Sequence, residues 1–341
     1  MWPSGMASRA IDRGKRFLLA KQGRDGLWRD FLTPAGEASQ WPTGFIAAAL
    51  QFAGADASGL ERAADTLVAN QHVDGGWSYN EKVPTDADST ACVLLFLAAM
   101  GHHAGPCGRA ASCLVTHQHR EDGGIATYSE PGPIRRFMGV GRWMRFDGWC
   151  SPHTEVTALA GRALAMVAPT NCSPAVDAAW RYVRSRQRDD GSWGSYWWTS
   201  PHYTSLQAVE LARSLGHHDV VSRAADWAMR SQADDGGWGA PGVATSAFTT
   251  ALSLSILLSA GGTRRPVERA ISRLANLQDD DGGWPCHPIM RIPLPRDLDP
   301  DRRRGLRIGR LGRSVVIADQ RRTFTSAACV TALARAREME G

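Results

Sequence analysis

Lysine is scarce in this sequence of 341 residues, and so are the marks of secreted or membrane proteins. Three lysines (Lys15, Lys21 and Lys82) stand against 36 arginines. The seven cysteines form no Cys-x-x-Cys pair, which indicates reduced thiols. The first 17 residues lack the apolar core of a signal peptide, and no apolar run reaches the ~18 residues of a membrane span. We therefore expect a cytoplasmic protein without stable membrane insertion.

A string of glutamine, aspartate, glycine and tryptophan recurs along the whole chain. Its six copies are QGRDGLW (22–28), QHVDGGW (71–77), QHREDGGI (118–125, with Ile125 in place of tryptophan), QRDDGSW (187–193), QADDGGW (232–238) and QDDDGGW (278–284). An amphipathic stretch precedes each copy, and an apolar stretch such as STACVLLFLAAMG (89–101) follows it. Helices with a polar face lie outside, and helices apolar all round are buried. Each repeat therefore predicts an outer helix, a glycine turn and an inner helix.

Six such hairpins predict an all-α fold, a single α6/α6 barrel that covers residues 1–341 as one domain. An open solenoid is the alternative, but solenoids carry polar caps at their ends. The first and last inner helices (43–54 and 326–336) are both apolar, which favours closure. We expect the recurring glutamine and tryptophan to tie one hairpin to the next.

Two repeats carry basic insertions between the glycine turn and the inner helix. The first insertion (130–149) has four arginines against two acids, and the second insertion (285–323) has ten arginines against four aspartates. Their charges, +2 and +6, exceed the +5 of the whole chain. They occur in repeats 3 and 6, so in a closed ring they face each other across one mouth. Such a mouth would attract an anion.

Asp86 and Asp88 lie at this same mouth, at the start of an apolar helix. Asp88 has a simpler explanation as a helix cap. Comparison of the repeats argues against it. Two positions before the matching inner-helix threonine, or its equivalent, the six repeats have Trp41, Asp88, Glu155, Tyr203, Phe248 and Cys329. Only repeats 2 and 3 have a carboxylate at this position, and a need for helix caps does not explain why most of the others have an aromatic residue.

A carboxylic acid that faces an aromatic-lined apolar interior suits protonation of an alkene. The faces of aromatic rings stabilise cations, and a water-poor cavity protects a carbocation from early quenching. Trp41, Trp149, Tyr203 and Phe248 are the candidates for stabilising such a cation.

The chain resembles the class II terpene cyclases, the family of squalene–hopene cyclase. Its repeats resemble the QW repeats of that family, and Asp86-Ala87-Asp88-Ser89-Thr90-Ala91 resembles the family's Asp-x-Asp-Asp motif before Thr-Ala. The resemblance implies that Asp88 is the proton donor, with Asp86 and Ser89 in the same motif. Ser89 departs from the pattern where the last aspartate is expected. The resemblance also implies a hydrogen-bond partner for the acid from a neighbouring helix; His153 is our candidate by position, and it can equally cap its own helix.

The arginine-rich mouth favours a prenyl diphosphate over neutral squalene as the substrate. A single barrel is similar to the cyclase half of drimenyl diphosphate synthases, which implies cyclisation of farnesyl or geranylgeranyl diphosphate with the diphosphate retained. We expect magnesium to bridge the diphosphate and a separate phosphatase to act on the product. The candidate head-group ligands are Arg135, Arg136, Arg142, Arg145, Arg303, Arg307, Arg310 and Arg313.

Several other functions remain as alternatives. A neutral or aryl-capped polyprenyl substrate is one, and a non-catalytic lipid-binding barrel is another. A zinc-dependent protein prenyltransferase subunit is disfavoured because no cysteine, histidine and aspartate set has the required spacing. Nucleic-acid binding is disfavoured because the basic residues gather at one mouth without interleaved surface aromatics.

Overall fold

Helices alternate between an outer and an inner set along the chain. The computed structural model describes residues 4–101, 103–167, 173–239, 243–302 and 315–339. Numbered in chain order, the outer helices are α1 (Ser4–Ala20), α3 (Ala57–Ala69), α5 (Ala104–Thr116), α8 (Ser173–Arg184), α10 (His218–Arg230) and α12 (Arg264–Leu277). The inner helices are α2 (Gln40–Phe52), α4 (Ala87–Met100), α7 (Thr154–Val167), α9 (His202–Ser214), α11 (Ala247–Ser259) and α13 (Thr323–Glu338).

The inner helices form a closed ring. Each packs against the next, from α2 through α4, α7, α9 and α11 to α13, and α13 packs against α2. The outer ring closes as well, since the side chain of Gln278, after α12, donates a hydrogen bond of 2.9 Å to the carbonyl of Ala10 in α1. The predicted α6/α6 barrel is therefore confirmed, and an open solenoid is excluded.

The recurring string joins successive hairpins, as predicted. In repeat 2, the Trp77 indole donates to the Leu67 carbonyl (2.7 Å) at the end of the outer helix. The Gln71 amide donates to Gly75 within the turn and to Pro106 of the next outer helix, at 2.7 and 2.9 Å. Gly75 has a φ of +89°, and a β-carbon there would lie 2.7 Å from the Arg109 carbonyl oxygen. Glycine is required at this position both by its backbone conformation and by the close approach of the next helix.

The two insertions contain regular structure that the sequence reading treated as loops. The first insertion holds α6 (Pro131–Phe137). The second holds β3 (Pro288–Ile292), which pairs antiparallel with β4 (Val315–Ala318), and a short 3-10 helix (Pro300–Arg302). A further hairpin of β1 (Asp30–Thr33) and β2 (Gly36–Ala38) precedes α2.

The insertions meet over the end of the barrel where the inner helices begin. The backbone amides of Gly148 and Trp149 both donate to the Pro295 carbonyl, at 2.8 and 3.2 Å. A small apolar cluster lies at this junction, made of Val83, Ile134, Phe146, Trp149 and Tyr196. We call it the cover. Its buried apolar side chains separate this mouth of the barrel from water, which agrees with the predicted position of the insertions across one opening.

Candidate active site

Each inner helix begins with a hydroxyl that fixes the preceding turn. Thr90 accepts a hydrogen bond of 2.9 Å from the Trp77 amide, and Thr157 accepts one of 2.8 Å from the Ile125 amide. In repeat 6 the equivalent residue is Ser326, which accepts from the Trp284 amide at 3.1 Å. Our sequence alignment used Thr331 and so placed Cys329 at the mouth, which was wrong by five residues. The residue two positions before Ser326 is Phe324.

Six residues therefore share the first layer of the barrel interior, two acids and four aromatics. They are Trp41, Asp88, Glu155, Tyr203, Phe248 and Phe324. Trp41 and Phe324 lie with their ring centroids 4.8 Å apart, and Phe248 and Phe324 lie 5.8 Å apart. Trp198 stacks on Tyr203 at 3.9 Å and also contacts the other three aromatics. Three of the four predicted cation-stabilising residues thus belong to one aromatic cluster beside the acids.

Trp149, the fourth of these, lies elsewhere. It belongs to the cover, where its indole donates to the Pro293 carbonyl at 3.0 Å and its ring packs against Phe146. The structure does not bring it into the interior aromatic cluster. Phe324, which the alignment missed, occupies the place that the pattern assigns to an aromatic residue.

Asp86, and not Asp88, caps helix α4. The Asp86 carboxylate accepts from the Ser89 amide at 2.7 Å and from the Ser89 hydroxyl at 2.8 Å. Both residues are buried. Burial raises the pKa of Asp86 to about 7, while the two bonds from Ser89 hold it down. Ser89, which stands where a third carboxylate was expected, therefore stabilises the capping residue Asp86.

Asp88 is left without a hydrogen-bond partner among the residues that the structure describes. It lies in the first turn of α4 and is half-buried, so its carboxyl keeps surface that a bound molecule can contact. Burial raises the pKa of Asp88 well above its ordinary value, and the negative charges of Asp86 and Glu155 raise it further. Both effects favour the protonated form of the carboxyl. An acid whose proton no neighbour accepts is available to donate it.

Glu155 is buried in the start of α7 and is fixed by backbone amides. One carboxylate oxygen accepts from the amides of Tyr196 and Trp197, both at 2.7 Å. Arg291 holds the same segment from the other side, since its guanidinium donates to the Tyr196 carbonyl at 2.7 Å. Burial raises the pKa of Glu155, and these hydrogen bonds lower it. Glu155 therefore supplies a fixed carboxyl whose charge acts on Asp88.

His153 does not bind Asp88, contrary to our expectation. Its Nε2 lies 2.9 Å from the Gly148 carbonyl and its Nδ1 lies 3.4 Å from the Thr127 hydroxyl. The ring stacks on Tyr196 with centroids 3.7 Å apart. Burial lowers the pKa of His153 to about 3, so the imidazole is neutral. With both nitrogens engaged elsewhere, His153 supports the backbone around Glu155 instead of tuning the acid.

A cavity of about 380 Å³ occupies the interior of the barrel beyond the first layer. One helical turn after each first-layer residue, a residue lines this cavity: Phe45, Cys92, Leu159, Gln207, Leu252 and Ala328. Most of the remaining lining is apolar as well. Phe52 and Met166 line the far end of the cavity and are 40% and 48% exposed, so the cavity opens where the inner helices end. Asp88 and the aromatic cluster do not line this chamber themselves; they lie one helical turn beyond the end of it that Cys92 and Ala328 line.

The four predicted head-group arginines that the structure describes are not in this chamber. Arg135 donates to the Met144 carbonyl at 3.1 Å and packs on the Phe146 ring. Arg136 and Arg142 are exposed, and Arg145 is exposed and paired with Asp147 at 2.5 Å. None of the four lines the cavity. The other four predicted arginines (Arg303, Arg307, Arg310 and Arg313) lie outside the described residues.

Charged residues inside the chamber were not predicted from the sequence. Arg162, Glu210 and Arg335 line the cavity near its open end. The signal was present, because each interrupts an inner helix that is otherwise mostly apolar, as in TALAGRALAMV (157–167). Charges in such a helix are costly unless they are paired or serve a ligand.

Comparison with known proteins agrees with this architecture. Residues 78–297 match the family model described as squalene-hopene cyclase C-terminal domain. The chain is 27% identical over 335 residues to a probable squalene–hopene cyclase of Sinorhizobium fredii, covering 86% of this chain and 50% of that protein. It is 28% identical over 247 residues to the drimenyl diphosphate synthase of Streptomyces showdoensis, covering 68% of this chain and 42% of that protein. The chain thus spans about half the length of these curated relatives.

A solved structure of similar length also matches. It is a variant of the type II terpene cyclase MstE from Scytonema in complex with geranylgeranyl dihydroxybenzoate, its substrate, with a TM-score of 0.89 and 27% identity over 98% of this chain and 99% of that one. The family model covers well over half of the sequence, and the ring of hairpins with its acid-bearing helix agrees with it. The chain therefore belongs to the squalene–hopene cyclase C-terminal domain family.

Proposed function

We propose that this protein is a class II terpene cyclase that folds a linear prenyl chain inside the barrel and starts ring formation by protonation. The observation that carries the proposal is the carboxyl of Asp88, which has no hydrogen-bond partner among the described residues, has a raised pKa, and lies one helical turn beyond the end of an apolar chamber. The product has the same elemental composition as the substrate, so the reaction is an isomerisation of the intramolecular lyase type.

The first step transfers one proton. The O–H bond of Asp88 breaks, the π electrons of the terminal alkene form a new C–H bond, and a tertiary carbocation remains. Neighbouring alkenes of the same chain then attack in turn, each forming a C–C bond. Loss of a proton from the last cation restores an alkene, and solvent protons recharge the carboxylate of Asp88.

The aromatic cluster beside Asp88 suits the cations that follow. Tyr203, Phe248 and Phe324 present ring faces or edges within one layer of the barrel, next to the acid. Cation–π attraction is strongest where water is excluded, at about 2 kcal/mol or more for a desolvated ion. The cover above this layer keeps water from the cation.

The substrate that we propose first is farnesyl or geranylgeranyl diphosphate, cyclised with its diphosphate retained. The similarity to drimenyl diphosphate synthase supports this class of substrate. Magnesium bound together with the diphosphate would neutralise part of its negative charge. Among the described residues no group of three or more acidic, histidine or cysteine side chains could hold a metal ion. A separate phosphatase would release the alcohol.

A second candidate substrate is a prenyl chain capped by an aromatic acid. The complete overlap of this chain with MstE, whose substrate is geranylgeranyl dihydroxybenzoate, supports it. Both candidates place an anionic group at one end of a prenyl chain and an alkene at the other. A cytoplasmic location is part of the proposal and fits the six described cysteines, all of which are free thiols. No helix in the described part of the chain has the length and apolar character needed to span a bilayer.

The deciding experiment uses deuterated water. The purified protein is incubated in D₂O with prenyl diphosphates of 10 to 20 carbons, geranylgeranyl dihydroxybenzoate and squalene, and diphosphate products are treated with phosphatase and examined by mass spectrometry. We expect a cyclic product that carries one deuterium on a methylene carbon of the first ring, next to the ring carbon that bears two methyl groups. Asp88→Asn should bind the same substrate and lose turnover by at least about 1,000-fold, since it removes the general acid. Unlabelled product, or an unchanged rate in Asp88→Asn, would refute the proposal.

A further inference from the structure

An arginine cluster surrounds one buried carboxylate at the end of the chamber opposite Asp88. Glu210 is 2% exposed in its side chain and contacts Arg335 at 2.6 Å, Arg213 at 3.4 Å and Arg162 at 4.0 Å. These residues come from α7, α9 and α13, so the cluster ties three inner helices together. Three positive charges against one negative charge leave an excess of two. An excess of positive charge in a mostly apolar barrel is costly unless a ligand balances it.

Arg162 is the member of the cluster that its neighbours satisfy least. In the described part of the chain its guanidinium has no hydrogen-bond acceptor, and its nearest carboxylate oxygen is 4.0 Å away on Glu210. Its side chain is 33% exposed and lines the cavity. Arg335 donates to Glu210 through one nitrogen and also lines the cavity. Arginine nitrogens that remain open toward an apolar space can receive the oxygens of an anion.

The cluster lies at the right depth to hold one end of a prenyl chain. Glu155 in the first layer and Arg162 are seven residues apart in α7, which corresponds to a rise of about 10 Å. Between them the cavity is lined by apolar residues such as Phe45, Leu159 and Leu252. The cavity therefore extends from Arg162 to within one helical turn of the Asp88 layer through mostly apolar surroundings. The open end of the cavity, beside Phe52 and Met166, allows the head group to remain near solvent.

We infer that Arg162 and Arg335 bind the anionic head group of the substrate, so that the chain enters from the open end of the barrel with its terminal alkene first. This inference rests on the proposed function. It moves the expected head-group site from the insertions to the opposite end of the chamber. The chemistry recognised is an anionic oxygen group, either a diphosphate or a carboxylate, on a linear prenyl chain. Glu210 positions the two arginines and limits their freedom.

The test measures binding without turnover. Arg162→Gln and Arg335→Gln are each combined with Asp88→Asn, and dissociation constants are measured for geranylgeranyl diphosphate, geranylgeranyl dihydroxybenzoate and neutral geranylgeraniol. We expect each arginine variant to bind the anionic ligands about 10- to 100-fold more weakly, since each loses a charge-assisted hydrogen bond. Binding of geranylgeraniol should stay unchanged. Whichever anionic ligand loses more affinity identifies the natural head group.

Arg264→Gln is the control. Arg264 lies on the outer helix α12, pairs with Glu268 at 2.8 Å and does not line the cavity. It should leave all three dissociation constants unchanged. If Arg162→Gln does not fold, Arg162→Lys is used in its place, because lysine keeps the positive charge. Arg162→Lys should lose less affinity for the anionic ligands than Arg162→Gln.

Two results would overturn the inference. One is an equal loss of affinity for the alcohol and the anions in Arg162→Gln; the other is a selective loss in Arg135→Gln or Arg142→Gln on the insertions. Because the binding assay needs no acid, failure of the proposed cyclisation shows only in the D₂O experiment. The two proposals can therefore fail separately.

Discussion

The hydroxyl of Ser89 donates a hydrogen bond of 2.8 Å to Asp86, whereas Asp88 has no hydrogen-bond partner in the part of the chain that the structure describes. The serine stands where the related motif has another carboxylate, so this chain uses the position to hold the helix cap. Two effects then set the acidity of Asp88, burial and the charges of Asp86 and Glu155. The strength of the acid thus depends on neighbouring charge and not on a hydrogen-bond acceptor.

Asp86→Asn should move the alkaline limb of the pH–rate profile to lower pH. The active form of Asp88 is protonated, and its pKa lies well above the ordinary value, so activity is lost as the pH rises through that raised pKa. Removing the charge of Asp86 lowers the pKa of Asp88 and brings this loss to lower pH. Asparagine still caps the helix. The measurement is kcat as a function of pH.

Asp56→Asn provides the control for this substitution. Asp56 also caps a helix and accepts a hydrogen bond from the Ser58 amide, but it lies at the start of the outer helix α3. Its pH–rate profile should match that of the unchanged protein. If Asp86→Asn leaves the alkaline limb in place, the charge of Asp86 does not tune the acid.

His153→Ala should reduce stability without moving that limb. The substitution removes a stacked ring and contacts to Gly148 and Thr127, and it leaves a cavity, with an expected cost of about 3 kcal/mol. Urea unfolding measures this cost, and the pH–rate profile of the folded fraction tests the role in catalysis. A shifted limb in His153→Ala would restore His153 as a partner of Asp88.

The architecture could be predicted from the sequence because one short string carries most of it. The glutamine of all six repeats and the tryptophan of five of them make the same contacts in the turns, so their spacing alone defines six hairpins. The same spacing showed that Asp88 and Glu155 occupy the repeat position that holds an aromatic residue in most other repeats. In repeat 6 the second insertion disrupted the register, and Phe324 was confused with Cys329.

The details of the site could not be predicted in the same way. The contacts of His153 depend on a carbonyl at Gly148 in the first insertion, whose path over the barrel no periodicity defines. Arg162 and Arg335 are 173 residues apart in sequence, and only closure of the ring brings both to Glu210. The net charge of the insertions favoured them as the head-group site. The charged residues that line the cavity lie instead within inner helices, whose apolar sequences indicated only a structural role.

Substitution of the interior aromatics should change the products. Phe248→Leu and Phe324→Leu keep an apolar side chain and remove the ring face, so a cation beside it loses about 2 kcal/mol of stabilisation. That loss corresponds to about 30-fold in the rate of the step concerned. We expect incompletely cyclised products to accumulate, as measured by gas chromatography with mass spectrometry. Trp149→Phe, in the cover, should leave the product distribution unchanged; an equal effect there would place the reacting chain elsewhere.

Glu210→Gln should destabilise the barrel most strongly near neutral pH. The positive charge of the neighbouring arginines lowers the pKa of Glu210 to about 2 although burial opposes the shift. Against an ordinary value of 4.5, this shift corresponds to roughly 3 kcal/mol of stability above pH 4.5, lost as the pH falls toward 2. The difference in the free energy of unfolding between the two proteins should therefore shrink by about half near pH ~3.5. Glu268→Gln, which breaks an ion pair with Arg264 on an outer helix, should have little effect at either pH. A pH-independent cost of Glu210→Gln would mean that packing, and not the charge of Glu210, holds the three helices together.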